Sequence, residues 1–128
     1  MLTIRPQQIQ ALEALALEHF VAEVVRLLAP LLPTIYRALG EQRTWHVATR
    51  AAHRAMRYGL ETKAGIATFI ELTLILGPHF DTSPRYRWAA RILGEAVDER
   101  HRVQQLHERA LQYRCHEAEF ASRGRNVR

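Results

Sequence analysis

Apolar residues in this chain return every three to four positions, and proline and glycine cut that pattern into helix-length pieces. The first piece opens at Pro6, a residue suited to a first helical position. Ile9, Leu12, Ala16, Phe20, Val24, Leu27 and Leu28 then fall on one face of a helix that ends or kinks at Pro30 and Pro33. Thr34 to Leu39 reads as a short helical turn closed by Gly40. A second helix is predicted from Glu41 to Tyr58, with Trp45, Ala48, Ala52, Ala55 and Met56 inward and Gly59 as a left-handed cap. The third runs from Thr62 to Leu76 and carries only Lys63, Thr68 and Glu71 as a polar side. A helix apolar over most of its circumference belongs in the middle of a bundle.

Gly77-Pro78 stops the third helix, and Ser83-Pro84 offers a cap and first-turn pair for a fourth, Pro84 to Leu93. Phe80 is expected to plug the core and Asp81 to cap a turn. The last helix, Glu95 to Ala121, has a thinner apolar seam of Val97, Val103, Leu106, Ala110, Tyr113 and Phe120. Residues 122–128 read as a basic, disordered tail. The fold class is therefore all-α: one domain over residues 1–121, an irregular or orthogonal bundle of about five helices around a central apolar helix.

Length and composition agree with this. A 128-residue chain that is 48% hydrophobic can hold a core without disulfides or metal. Its single cysteine, Cys115, excludes an internal disulfide. The first residues lack the basic-then-apolar order of a signal peptide, and the longest apolar window, Gly65 to Gly77, is too short to span a bilayer. A bacterial, cytoplasmic protein without membrane contact is the expectation. Seventeen of the eighteen basic residues are arginine, a bias that GC-rich coding produces without any ligand.

Candidate chemistry is sparse. None of the seven histidines (His19, His46, His53, His79, His101, His107 and His116) forms the i, i+4 pair of a helical zinc motif. Cys115 and His116 are neighbours, and on a helix neighbours point about 100° apart. There is no nucleophile elbow and no glycine-rich phosphate loop. The chain therefore reads as non-enzymatic, with no catalytic residue, cofactor or metal.

The sharpest polar feature is on the second helix. His46, Arg50, His53 and Arg57 fall at i, i+4, i+7 and i+11, one continuous face flanked by Arg43 and Arg54. Such a stripe suits an acidic protein surface or a nucleic-acid backbone, and equally a solvated face in an arginine-rich chain. Trp45 and Trp88 read as core; an exposed one would be a candidate anchor for a partner.

Two blocks of residues carry a resemblance. One is Leu2 to Leu12, with Arg5-Pro6-Gln7-Gln8. The other begins at Tyr58-Gly59, passes through Leu76-Gly77-Pro78-His79-Phe80-Asp81 and reaches Trp88-Ala89-Ala90-Arg91-Ile92-Leu93. The chain resembles a family of small helical proteins encoded beside spike-tip and toxin genes of type VI secretion systems. Their pattern has Arg-Pro-Glu-Gln near the start, Tyr-Gly before an apolar helix, Leu-Gly-x-x-Phe-Asp after it, and Pro-Trp-Ala-x-x-Ile-Leu behind. Gln7 stands here for the glutamate and Arg87 for the second proline. The resemblance covers roughly the first 93 residues and implies an accessory role: a co-chaperone or adaptor that holds a toxin or its loading chaperone. Two alternatives stay open, a nucleic-acid-binding protein and an immunity protein against a secreted toxin. Homo-oligomerisation is also open.

Overall fold

The computed structural model describes the backbone of residues 6–126 and the side chains of residues 15–115. Its helices are α1 (Pro6–Leu28), α2 (Pro33–Leu39), α3 (Glu41–Arg57), α4 (Lys63–Leu76), α5 (Arg87–Gly94) and α6 (Glu99–Asn126), with a 3-10 turn at Pro84–Tyr86 before α5. No strand occurs among the described residues, so the protein is an all-α bundle. No helix among the described residues is long and apolar enough to cross a membrane.

Most helix ends follow the local chemistry. Thr62 caps α4, its hydroxyl accepting from the Gly65 N–H at 3.0 Å. At the end of α3 the chain turns with Gly59 at φ 83°. The Leu60 N–H donates to Ala55 and the Gly59 N–H to Met56, the paired bonds of a Schellman cap. Leu60 is then buried beside the helix it closes.

Four boundaries differ from expectation. The turn expected at Thr34 is a full seven-residue helix, α2, with Pro33 at its first position, so the bundle has six helices rather than five. The fourth helix starts three residues late, because Ser83 caps a 3-10 turn at Pro84–Tyr86. The last starts at Glu99 rather than Glu95: Asp98 accepts the His101 N–H at 2.9 Å and takes the capping role. Its backbone stays helical to Asn126, past the end expected at Ala121. Residues 127–128 and the side chains beyond Cys115 lie outside the described residues, as do Met1–Arg5 and the side chains of Ile9, Leu12, His116 and Phe120.

α4 packs against α1, α3 and α6 and forms the centre. Ile66, Phe69, Ile70, Thr73 and Leu74 are buried, as their spacing predicts, Leu76 is half-buried, and Leu72 is buried as well. Of the helix's expected polar side, Lys63 is exposed but Thr68 and Glu71 are buried. Thr68 and Thr73 satisfy their hydroxyls on the carbonyls of Ala64 and Phe69, one turn back. Glu71, only 2% exposed, receives a two-pronged ion pair from Arg114 of α6: Nε to Oε2 at 2.6 Å and Nη2 to Oε1 at 2.7 Å. That contact raises the Arg114 pKa further above its ordinary value, the hydrogen bond to Glu71 being the largest cause.

An aromatic series runs through the same core. Phe69 lies 5.9 Å from Tyr58 and 5.0 Å from Phe80, ring centre to ring centre. Phe80 adjoins Trp88, which stacks on Tyr113 of α6 at 6.3 Å. Phe80 is 1% exposed and does plug the core.

The first turn of α6 ties three other helices together. Glu99 accepts the N–H groups of Glu61 and Thr62, each at 2.8 Å, at the start of α4. One turn on, Arg102 donates to the carbonyls of Tyr58 and Leu93, at the ends of α3 and α5. A carboxylate thus sits at a helix N-terminus and a guanidinium at two C-termini, the arrangement favoured by the helix dipoles. Gly65 permits this approach: a Cβ there would lie 2.9 Å from the Glu99 carboxylate and 3.0 Å from Val103.

Candidate functional site

α3 is amphipathic in an unusual way. Its buried face is Thr44, Ala48, Ala51, Ala52 and Ala55. These small side chains let the backbones of α1 and α4 come close, so the buried strip is narrow. Trp45 and Met56 lie some 80–100° from the centre of that strip on a helical wheel. They were expected inside; they are 37% and 49% exposed. Leu27 of α1, also expected inside, is 63% exposed, and Val97 lies outside the core at 45%.

His46, Arg50, His53 and Arg57 share the opposite face of α3, and all four are exposed. They line an open groove of about 440 Å³, whose far wall is Thr73, Pro78 and His79 from the end of α4 and the following loop. No carboxylate lines it, and Arg50 and Arg57 form no ion pair with a described residue. An uncompensated guanidinium pair in a concave surface attracts anions.

Arg54, expected only to flank the stripe, is committed elsewhere. Its Nη2 donates to Asp81 Oδ2 at 2.6 Å, and its Nη1 reaches the Pro78 carbonyl and His79 Nδ1, each at 3.1 Å. Asp81 is 2% exposed and also accepts from the Tyr58 hydroxyl at 2.5 Å. It is thus a buried ion-pair partner where a turn cap was expected. Burial, and then the hydrogen bond to Asp81, raise the Tyr58 pKa above that of an ordinary phenol. This cluster fixes the loop wall of the groove against α3. The contribution of His79 to that wall was not visible in the sequence, because it depends on the path of the 77–83 loop.

A second, wider cleft of about 1010 Å³ adjoins the first at His46. Ala22, Val25 and Arg26 of α1, Tyr36 of α2 and the start of α3 through Trp45 line it. Trp45, at 37% exposed, meets the condition under which the sequence makes it a candidate anchor.

Among the described residues, no group of three or more histidine, cysteine or acidic side chains is arranged to hold a metal. The Asp98–His101 pair, at 2.9 Å, is about 70% exposed on both sides and serves to cap α6. Cys115 is exposed on α6. The chain matches no protein-family model, and no curated protein or solved structure matches it.

Proposed function

We propose that the protein is a non-enzymatic, protein-binding accessory that docks an acidic part of its partner along α3. The observation carrying the reading is the groove that His46, Arg50, His53 and Arg57 line, whose charged side chains are all basic and which no carboxylate lines. No described carboxylate answers this face, and an acidic partner surface would complement it. The resemblance set out above supplies the partner class: a type VI secretion toxin, or the chaperone that loads it, with this chain as co-chaperone or adaptor. Co-expression with the proteins encoded beside it, followed by pull-down, tests the reading. A stable complex with a toxin or its chaperone supports it. Purification alone, with no neighbour bound at micromolar concentration, refutes it.

The exposure of Trp45 in a cleft that Arg26 and Arg43 also line favours one competing reading, single-stranded nucleic acid. Such proteins stack successive bases on aromatic rings along the backbone-binding groove, whereas Trp45 and Tyr36 both lie in the adjoining cleft and no phenylalanine, tyrosine or tryptophan lines the basic groove. Phosphate contacts also weaken steeply with salt, so a salt titration with DNA and RNA separates the two.

A further inference from the structure

Half of the basic stripe on α3 is histidine, and this gives the groove a charge that depends on pH. Arg54 is answered by Asp81 at 2.6 Å, so at neutral pH the free charge of the groove rests on Arg50 and Arg57. His46 and His53 lie on the same face, both exposed, and neither forms an ion pair with a described residue. Histidine is the one side chain whose ordinary charge change falls between about pH 5 and 8. With both imidazoles protonated, the groove carries four free positive charges where it had two.

The third histidine of the groove is held apart. His79 Nδ1 lies 3.1 Å from Arg54 Nη1, and a guanidinium only donates, so Nδ1 accepts. A second proton on that ring would have to displace Arg54. His79 therefore belongs to the wall, and His46 and His53 to the face that meets a partner.

The surroundings of these two residues set the sign of the coupling. Around His53 the groove offers Arg50, Arg54 and Arg57 of α3, His79 of the loop, and the uncharged Thr73 of α4. His46 shares Arg50 with that set. On its other side it shares the adjoining cleft with Arg26 of α1, Tyr36 of α2, and Glu41 and Arg43 of its own helix. Glu41 is thus the one carboxylate that lines either cleft. A carboxylate brought within hydrogen-bond reach favours the protonated imidazole. Docking an acidic segment therefore draws protons onto His46 and His53, and by linkage a lower pH tightens the docking.

We infer that the α3 groove is a proton-coupled clamp, which grips an acidic partner segment more tightly through His46 and His53 as pH falls from about 7.5 to about 5.5. Arg50 and Arg57 supply the part of the grip that does not change over this range. This deepens the adaptor reading and rests on it.

Fluorescence anisotropy of the full chain with a labelled octa-aspartate peptide, at constant low ionic strength, reads the coupling. Aspartate stays ionised across this range, as does Glu99 at the start of α4, so neither supplies the change. An exposed ion pair is worth at most about fivefold in affinity, so two gained together should tighten binding by about tenfold at the lower pH. His46→Gln with His53→Gln should stay within about twofold of wild type at the higher pH and lose the gain at the lower. His107→Gln, exposed on α6, should keep the gain. Arg50→Glu with Arg57→Glu should remove binding at both pH values, with the far-UV circular dichroism of every variant unchanged. A wild-type gain below about twofold, or a gain kept by the paired histidine variant, overturns the inference. So does tighter binding of an oligothymidine than of the peptide at both pH values. If the peptide binds at neither pH but a co-expressed neighbour is still retained in pull-down, this inference fails and the adaptor reading survives. If no neighbour is retained either, both fail.

Discussion

Removing Arg114 should be among the most damaging single changes to this fold. Glu71 sits in the central helix with 2% of its surface exposed, and both of its oxygens are met by Arg114 at 2.6 and 2.7 Å. Arg114→Ala leaves a carboxylate in the core with neither oxygen paired. Breaking a buried ion pair from one side costs about 3–5 kcal/mol. Because the Arg114 side chain is 26% exposed, water can partly replace it, and the lower end, about 3 kcal/mol, applies. Domains are stable by only about 5–15 kcal/mol, so this is a large share. With a urea m-value of about 1–3 kcal/mol/M, the midpoint should fall by roughly 1–3 M. Urea titration followed by circular dichroism at 222 nm reads it directly. The double variant Glu71→Leu with Arg114→Leu removes both charges and should recover the wild-type midpoint or exceed it. A midpoint shift below about 0.3 M in Arg114→Ala, or a double variant no more stable than the single one, would refute the reasoning.

The same assay checks three other contacts. Gly65→Ala gains up to about 1 kcal/mol of helix propensity, but its methyl meets Glu99 and Val103 at 3.0 Å or less. The crowding should win by about 1–2 kcal/mol, and a stabilised variant would show that α4 and α6 are less tightly seated. Glu99 is held below its ordinary pKa of 4.5: burial pushes it up, yet hydrogen bonds from Thr62 and Glu61 outweigh that. A depressed carboxylate contributes stability above its unfolded pKa and loses it as pH falls through the folded value. Wild-type stability should therefore decline below about pH 4.5 more steeply than that of Glu99→Gln; parallel curves would contradict the capping role. Arg54→Ala should cost about 2–3 kcal/mol, since Tyr58 still donates to Asp81, and the loss should be larger than for Arg50→Ala, whose side chain is exposed and unpaired among the described residues.

Most of the helices and several of their ends could be read from residue type, because Pro6, Gly59, Thr62 and Gly77 act through their own backbone and nearest neighbours. Phe80 was legible for a similar reason: a large aromatic after a Gly-Pro stop has little choice but the core. What escaped depended on distant partners. Glu71 looks like a solvated acid until Arg114, 43 positions away, is brought beside it. Asp81 looks like a turn cap until Arg54 and Tyr58 arrive from α3. Trp45 and Met56 were placed inside because periodicity assigns a face but not its width; the alanines of α3 make that face narrow. The basic stripe itself was legible residue by residue. That it lines a groove, and that Arg54 is withdrawn from it, required the loop around Pro78 and His79.

The claim that the basic face of α3 receives the partner is tested most directly by moving charge and leaving composition alone. Arg50→Glu with Arg57→Glu changes net charge by the same amount as Arg87→Glu with Arg91→Glu on exposed positions of α5. Each pair would be co-expressed with the proteins encoded beside it, and any retained partner quantified after pull-down. The account predicts loss of the partner with the α3 pair and retention with the α5 pair. Equal loss from both, or retention by both, would contradict it.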